Sequence, residues 1–190
     1  MSLRHDMAAA SLTPLPHLTT ARLRLRPAQP ADADALFSAY TTDPEVARFM
    51  VWRPHRTIEE TRAYLRACAD QWAAGICFTY LLEEMDRAGP IGAIALRPEG
   101  TSADFGYVLA RAAWGQGLMP EALRALGDWA LAQEGIWRAV ATCDVANRAS
   151  ARVMEKAGMR FEGVLRRHTI HPNIQPEPRD CRLYARVRGD

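Results

Sequence analysis

A turn with almost no side-chain bulk lies between an apolar strand and an amphipathic helix. Gly115 and Gly117 of this turn can adopt backbone angles that other residues avoid, so a ligand can approach the main chain closely. Pro120 suits the first position of the helix that follows. Such a helix start presents unpaired N–H groups and the positive end of a dipole, which together stabilise an anion without any lysine. The pattern predicts a backbone site for a phosphate, and its alternative is a plain strand-to-helix turn.

A second group of polar residues opens a helix that follows a β-like run around Val140. Asn147 stands at the predicted helix start, a position that asparagine favours as a cap. Ser150 lies about one turn further on, where a serine is commonly a small group at the helix surface.

Further motifs accompany the turn and this helix in a fixed order: residues 20–27, the Gly106-Tyr107 pair, residues 147–166 and residues 180–184. In this order they resemble the GNAT superfamily of acetyl-CoA-dependent N-acetyltransferases, and within it the Rim-type ribosomal-protein alanine N-acetyltransferases. Two positions depart from the superfamily's pyrophosphate pattern. Trp114 stands where Arg or Gln is usual, and Met119 stands where Gly or Ala is usual.

The resemblance implies acetyl-CoA as the cofactor, held in a cleft between two splayed central strands. It implies that the pantetheine arm extends the sheet, that the N–H of Leu109 meets the acetyl oxygen, and that Asn147 binds the pantetheine through its amide. Pro120 has no N–H, so the phosphate donors would be residues 115–119. The implied cofactor-binding residues are Val108, Leu109, Ala110, Trp114, Gly115, Gln116, Gly117, Leu118, Met119, Pro120, Asn147 and Ser150.

Acyl transfer from a thioester to an amine needs a polarised carbonyl, a neutral amine and protonation of the departing thiolate. The resemblance places Ser150 near the sulfur as the first candidate for the acid. Tyr184 is its rival, because a phenol is closer in acidity to a thiol, although aromatic residues on strands are more often core. The general base stays open between Asp104 and Glu162, each of which also has a purely structural interpretation.

The implied reaction is transfer of an acetyl group to a primary amine by direct attack in a ternary complex. The acceptor would be a protein N-terminus, a free amino acid or polyamine, or an amine-bearing antibiotic, selected mainly by residues 43–57 and 169–179. The alternative is a non-catalytic acyl-CoA-binding or regulatory module. A nucleotide-phosphate-binding protein is a weaker hypothesis, because the turn lacks a Gly-Lys-Ser/Thr ending.

Composition limits the other function classes. A chain of 190 residues with 48% apolar content forms one domain, predicted as a flexible tail over residues 1–18 and a folded domain over residues 19–190. The 24 Lys and Arg against 22 Asp and Glu argue against nucleic-acid binding, and no window is apolar enough for a membrane span. Neither Cys nor His residues have the spacing of a metal site. Buried thiols and the absence of a convincing signal peptide predict a cytoplasmic protein, with a homodimer left open.

The elements predict an α/β (α+β) sandwich. By the resemblance it is a single GNAT-like domain with a mixed, mostly antiparallel sheet of about seven strands, splayed at the cofactor cleft and flanked by about four helices. Arginines alternate with Leu23 and Leu25 in the first strand, either as a solvated face or as a seat for the cofactor's 3′-phosphate or an acidic partner. Thr57 and Glu60 predict a capping box. Apolar runs at residues 76–82, 91–96 and 105–109 predict a meander.

Overall fold

Eight strands form one twisted sheet in the computed structural model, which describes residues 12–190. The order across the sheet is β1-β2-β3-β4-β5-β6-β8-β7, and every neighbouring pair is antiparallel except β5 and β6. The strands are β1 (Leu18–Thr19), β2 (Leu23–Pro27), β3 (Phe78–Glu84), β4 (Pro90–Glu99), β5 (Ser102–Leu109), β6 (Arg138–Asp144), β7 (Arg160–Thr169) and β8 (Arg179–Val187).

Five α-helices cover the sheet. They are α1 (Ala33–Leu36), α2 (Pro44–Ala47), α3 (Ile58–Ala73), α4 (Leu118–Ala132) and α5 (Arg148–Lys156). The predicted fold class is confirmed, with one more strand and one more helix than expected. The extra strand is the two-residue β1. The extra helix is the short α2, which begins after Asp43 because that side chain accepts a hydrogen bond from the N–H of Glu45.

The predicted division into tail and domain stays a prediction, because residues 1–11 lie outside the described part of the chain. The later part of that tail is in contact with the sheet. Leu12 belongs to the buried core, and the backbone oxygen of Leu15 accepts a hydrogen bond from the Tyr80 hydroxyl.

Apolar side chains on the two faces of the sheet form two cores. On one face, Ile94 of β4 packs in the same cluster as Leu126 of α4 and Met154 of α5. On the other face, Leu81 of β3 packs with Leu65 of α3. The four cysteines are buried and unpaired, as predicted: Cys68, Cys77, Cys143 and Cys181. Within residues 12–190, none of the helices has the length and apolar character needed to span a bilayer.

Two arginines of β2 form ion pairs with nearby carboxylates. Arg24 lies 2.6 Å from Glu83, and Arg26 lies 2.6 Å from Asp32 and 2.8 Å from Glu83. Burial alone would raise the pKa of Glu83, but hydrogen bonds from Arg26 and Arg24 lower it overall. Arg24 and Arg26 thus form ion pairs within the chain, which neither interpretation from the sequence included.

The predicted capping box is wrong in its hydrogen bonds. Thr57 is the N-cap of α3, as expected, but its side chain makes no capping hydrogen bond. The Glu60 carboxylate instead accepts from the backbone N–H of Arg56 at 2.7 Å. The carboxylate still satisfies an N–H at the helix start, one residue earlier than the motif requires.

The sheet opens between its two central strands. β5 and β6 pair only from Ser102 opposite Arg138 to Phe105 opposite Ala141. β5 continues to Leu109 as a partner of β4 alone, while β6 continues beside β8. The last residues of β5 therefore face an open seam, which leads directly into the glycine turn.

Candidate active site

The glycine turn has the backbone conformation that the sequence predicts. Gly115 and Gly117 have φ values of 77° and 76°, in the left-handed region that favours glycine. The predicted helix start at Pro120 is wrong by two residues, because Gly117 is the N-cap and α4 begins at Leu118. Pro120 is thus the third helical residue, where an N–H has no partner inside the helix, so proline loses no hydrogen bond there. The buried side chains of Leu118 and Met119 anchor this helix start in the core.

Arg22 holds the glycine turn through hydrogen bonds to its carbonyl oxygens. Its guanidinium donates to the carbonyl oxygens of Gln116 at 2.9 Å and Gly117 at 3.3 Å, and Glu121 accepts from its Nε at 2.7 Å. In a trans peptide the C=O and the following N–H point in opposite directions. The N–H groups of Gly117 and Leu118 are therefore directed away from Arg22, as an anion site on the outer side of the turn requires.

Trp114 ties the turn to the end of β5. Its indole N–H donates to the backbone oxygen of Leu109 at 2.7 Å. The N–H of Ala110 donates to Ile91 of β4 at 2.7 Å. Successive residues of a strand direct their N–H groups to opposite sides, so the N–H of Leu109 points away from β4 and into the open seam. This is the orientation that the predicted role of Leu109 requires.

β4 approaches the end of β5 very closely at Gly92. A Cβ atom added there would lie 2.4 Å from the backbone oxygen of Val108 and 3.0 Å from the Leu109 side chain. Any other residue would push β5 aside. Gly92 therefore helps set the position of the strand end that carries Val108, Leu109 and Ala110.

A cavity of about 350 Å³ continues from the seam and brings several predicted residues together. Its wall includes Asp104, Val108, Asn147 and Ser150, which come from β5, α5 and the loop between β6 and α5. Asn147 is the N-cap of α5, and its Oδ1 accepts from the N–H of Ser150 at 3.1 Å. The capping role of Asn147 is thereby confirmed, while its amide nitrogen is not used by that bond.

Tyr107 also lies in the cavity wall, although the sequence did not predict it as a site residue. Its hydroxyl oxygen lies 2.8 Å from Oγ of Ser150 and donates to the Ser150 backbone oxygen at 3.2 Å. Burial raises the pKa of Tyr107 above its ordinary range. In the sequence, Tyr107 is recognisable only as an aromatic residue with a hydroxyl on the strand before the glycine turn. The contact between this hydroxyl and Ser150 is visible only in the folded structure.

Tyr184 lies elsewhere. It is 3% exposed and is not part of the cavity wall. Its hydroxyl donates to the Glu155 carboxylate at 2.9 Å, and burial together with this carboxylate raises the pKa of Tyr184. The structure therefore separates the two candidate acids that the sequence left open.

The two candidate bases also differ in position. Asp104 lines the cavity, and its Oδ2 accepts from Arg97 at 2.7 Å across the β4–β5 pair. Glu162 lies on the outermost strand β7, where it pairs with Arg138 at 2.6 Å. Glu162 is not among the residues that line the cavity.

The two segments expected to select the acceptor are in contact. The amide of Asn173 donates to the backbone oxygens of Ala47 at 2.6 Å and Trp52 at 2.7 Å. Trp52 and His171 both line the cavity, so each segment contributes to its wall.

Asp144, at the end of β6, is a second group that sequence analysis missed. Its side chain is fully buried and accepts from Arg179 Nε at 2.5 Å and Nη2 at 3.1 Å. Burial alone would raise the pKa of Asp144, but hydrogen bonds from Arg179 and from the N–H of Ala146 lower it overall.

Comparisons with known proteins give a consistent picture. A family model described as an acetyltransferase (GNAT) domain matches residues 22–160. The chain is 30% identical over 152 residues to the uncharacterized N-acetyltransferase p20 of Bacillus licheniformis, a match covering 78% of this chain and 85% of p20. It is 28% identical over 176 residues to the uncharacterized N-acetyltransferase YoaA of Bacillus subtilis (strain 168), covering 91% of this chain and 97% of YoaA.

Solved structures share the fold. RimL, a ribosomal alpha-N-protein acetyltransferase in complex with coenzyme A, has a TM-score of 0.79 at 24% identity, covering 91% of this chain and 98% of that one. A GNAT-family acetyltransferase from Bacillus anthracis has a TM-score of 0.79 at 25% identity, covering 92% and 99%. The microcin C7 self-immunity acetyltransferase MccE, in complex with acetyl-CoA and AMP, has a TM-score of 0.80 at 20% identity, covering 93% and 98%.

Proposed function

The chain belongs to the GNAT acetyltransferase family, and on that premise we propose that it transfers the acetyl group of acetyl-CoA to a primary amine by direct attack in a ternary complex. The observation that carries the proposal is the open seam between β5 and β6. It connects the glycine turn at one end with the cavity that holds Tyr107 and Ser150 at the other. A cofactor with a phosphate group at one end and a thioester at the other fits this layout.

Acetyl-CoA, the acetyl donor, is bound mainly by backbone groups. Residues 115–119 offer N–H groups to the pyrophosphate at the positive end of the α4 dipole. Leu109 donates its N–H to the acetyl oxygen and stabilises the negative charge that develops there. Asn147 keeps its cap and offers its amide nitrogen to the pantetheine. Relatives of the same fold that are named as complexes with coenzyme A or acetyl-CoA support this donor.

Ser150 and Tyr107 act together where the thiolate departs. Ser150 is the group predicted to face the sulfur, and its hydroxyl is in hydrogen-bond contact with the Tyr107 phenol. Even with its pKa raised by burial, the Tyr107 phenol is a stronger acid than an aliphatic hydroxyl, so Tyr107 can supply the proton that Ser150 passes on. Tyr184 stays a rival only through a rearrangement that releases it from Glu155.

The acceptor is a small-molecule amine or a protein N-terminus. The RimL-type relatives named as alpha-N-protein acetyltransferases favour an N-terminus. An α-amine has an ordinary pKa of about 7.7–8.0, compared with about 10.4 for a lysine side chain, so it needs less help from a base. Asp104 is the acceptor-side carboxylate that the sequence suggests for this help.

The test is a screen of acetyl-CoA with free amino acids, polyamines, aminoglycosides and short peptides of varied first residue. Release of the coenzyme A thiol, together with a mass increase of the amine, is the expected result for at least one class. Calorimetry with acetyl-CoA alone is the parallel measurement. Binding without turnover of any amine would favour the non-catalytic acyl-CoA-binding module instead.

A further inference from the structure

A row of small residues on the sheet lines the cavity. Thr79 of β3, Ala95 of β4 and Gly106 of β5 lie opposite one another in the strand pairing, so they share one face of the sheet. All three line the cavity, and so do Trp52 of the loop after α2 and Tyr64 of α3. The cavity is thus lined by small residues of the sheet and by aromatic side chains.

Arg97 places a positive charge in this wall. It lies on the same face of the sheet, opposite Asp104, and both residues line the cavity. Nη1 of Arg97 donates to Oδ2 of Asp104 at 2.7 Å, and this is the one side-chain hydrogen bond of Arg97 among the described residues. A guanidinium has five N–H donors, so Nε and Nη2 stay available. The Arg97 side chain is 42% exposed, so a ligand can reach it.

Gly106 makes room for the guanidinium. A Cβ added at Gly106 would lie 3.1 Å from Nη2 and 3.4 Å from Nη1 of Arg97. Gly106 does not have the positive φ that favours glycine, so its backbone conformation could be adopted by other residues. The missing side chain instead lets Arg97 fold back over the row of small residues. The guanidinium is therefore held at a defined place, by Asp104 on one side and by the surface of Gly106 below it.

The position of Gly106 sets the distance between this guanidinium and the proposed site of transfer. Gly106 is three residues before Leu109, whose N–H is proposed to bind the acetyl oxygen. At a rise of about 3.3 Å per residue, three residues of β5 span about 10 Å. An extended peptide covers about the same distance with its first three residues.

We propose that Arg97 binds a carboxylate of the acceptor, so that the preferred substrate is a primary amine with a carboxylate about 10 Å away. The inference rests on the proposed acetyl transfer and names its acceptor class. A guanidinium offers paired N–H donors that match the two oxygens of a carboxylate. The charge of Asp104 offsets part of the charge of Arg97 and repels a phosphate dianion more than a singly charged carboxylate.

The test compares acceptors that differ only in one charge. Alanine, dialanine and trialanine are offered as C-terminal acids and as C-terminal amides, and thiol release from acetyl-CoA is measured. The acid-to-amide ratio of kcat/KM should be highest for trialanine, at about tenfold or more, because its carboxylate reaches Arg97. A second arm keeps the C-terminus amidated and places aspartate, asparagine or phosphoserine at the third position. Aspartate should be preferred over both.

Substitution of Arg97 shows whether this residue causes the preference. Arg97→Gln should lower the trialanine acid-to-amide ratio by at least about tenfold, and Arg97→Lys should keep part of it. Because the ratio compares two acceptors on one protein, a general loss of folding or of acetyl-CoA binding cancels. Arg138→Gln is the matched control, since Arg138 is also a strand arginine paired with a carboxylate, Glu162 at 2.6 Å, but lies outside the described cavity wall. It should keep the wild-type ratio.

The outcomes separate the acceptor class from the transfer reaction. An acid-to-amide ratio that is equal in wild type and Arg97→Gln would overturn the role of Arg97. Preference for phosphoserine over aspartate would overturn the choice of a carboxylate. Turnover of amides and acids at equal rates by the wild type would overturn the anion site and leave acetyl transfer intact. A wild-type protein that acetylates no amine would overturn the transfer reaction itself, and the acceptor class with it.

Discussion

At the scale of single residues, two hydroxyl groups in hydrogen-bond contact form the proposed acid of the site. Oη of Tyr107 and Oγ of Ser150 are 2.8 Å apart, although the residues are 43 positions apart in the chain. A phenol keeps its proton at neutral pH, and burial raises the pKa of Tyr107 further. A protonated phenol next to a small hydroxyl therefore enters the reaction uncharged.

The first prediction compares the three hydroxyls. Tyr107→Phe and Ser150→Ala should each lower kcat by about 10²-fold or more if the pair protonates the thiolate, with little change in acetyl-CoA affinity. Tyr184→Phe should lower kcat by less than about threefold, because its hydroxyl contacts Glu155. Steady-state thiol release and calorimetry are the measurements. A large loss for Tyr184→Phe with small losses for the other two would move the acid role to Tyr184.

At the scale of elements, the start of α4 is built for close approach by an anion. The left-handed glycines carry no side chain on the turn, and Arg22 holds two carbonyl oxygens away from the ligand side. The proposed phosphate site is therefore a property of the connection between β5 and α4, and no single side chain supplies it.

The second prediction tests that connection. Gly117→Val should weaken acetyl-CoA binding by at least about tenfold, since a β-branched side chain disfavours positive φ and blocks the approach of the phosphate. Gly100→Val is the matched control, because Gly100 also has a positive φ, 58°, with no atom within 4 Å of an added Cβ, but lies in the β4–β5 turn. Calorimetry on both folded variants gives the comparison. Equal affinity in the Gly117 and Gly100 variants would remove the turn from the cofactor site.

The third prediction concerns the approach of β4 to β5. Gly92→Ala should raise the KM for acetyl-CoA several-fold and lower the unfolding temperature, because its Cβ would meet the Val108 oxygen at 2.4 Å. Gly127→Ala in α4 is the control. An added Cβ at Gly127 meets no atom within 4 Å, and alanine favours helices by about 1 kcal/mol over glycine, so that variant should be as stable as the wild type or more. An unchanged KM in Gly92→Ala would show that the end of β5 is free to adjust.

At the scale of the whole molecule, the proposed acceptor side is assembled from distant parts of the chain. Asn173 bonds Ala47 and Trp52 across 126 and 121 positions of sequence. These two hydrogen bonds join the loop after α2 to the connection between β7 and β8, and both segments contribute to the cavity wall. The proposed donor and acceptor sides are thus built by different elements and should respond to different substitutions.

The fourth prediction uses this separation. Asn173→Asp removes both donated hydrogen bonds and places a carboxylate beside two carbonyl oxygens. It should lower kcat/KM for the acceptor by roughly tenfold, since a lost hydrogen bond costs about 1 kcal/mol, and leave acetyl-CoA affinity unchanged. Gln175→Glu, the same amide-to-acid change two residues later, should have a smaller effect. A loss confined to acetyl-CoA binding would contradict the separation of the two sides.

The fifth prediction concerns stability and pH. The pKa of Glu83 is lower in the folded state, because hydrogen bonds from Arg26 and Arg24 outweigh the effect of burial. Its contribution to stability is therefore present above its ordinary pKa of 4.5 and is lost as the pH falls through the folded value. Glu83→Gln should lower the free energy of unfolding at pH 7, and the difference from wild type should shrink below about pH 4.

Urea unfolding of wild type and Glu83→Gln at both pH values gives this measurement. Glu84→Gln is the control, because Glu84 has only a distant contact, 3.9 Å, with Arg87. A difference between wild type and Glu83→Gln that does not depend on pH would mean that packing of the side chain matters more than its charge.

The sequence by itself determined the features whose causes are local. Positive φ at Gly115 and Gly117, the cap at Asn147 and the buried thiols follow from residue type and short-range spacing. The order of the elements and their hydrophobic periodicity, together with the family resemblance, also predicted the fold class. Two local predictions were wrong. The Glu60 carboxylate binds the N–H of Arg56 instead of that of Thr57, and α4 begins two residues before Pro120.

Only the tertiary structure decided which distant groups meet. The early end of the β5–β6 pairing leaves Leu109 facing a seam. The position of α5 against the sheet brings Ser150 to Tyr107 of β5 and Glu155 to Tyr184 of β8. The placement of His171 against Asp144 depends on how the β7–β8 connection folds back over β6. These contacts depend on strand register and on the opening of the sheet, which result from packing of the whole chain and leave no pattern between neighbouring residues.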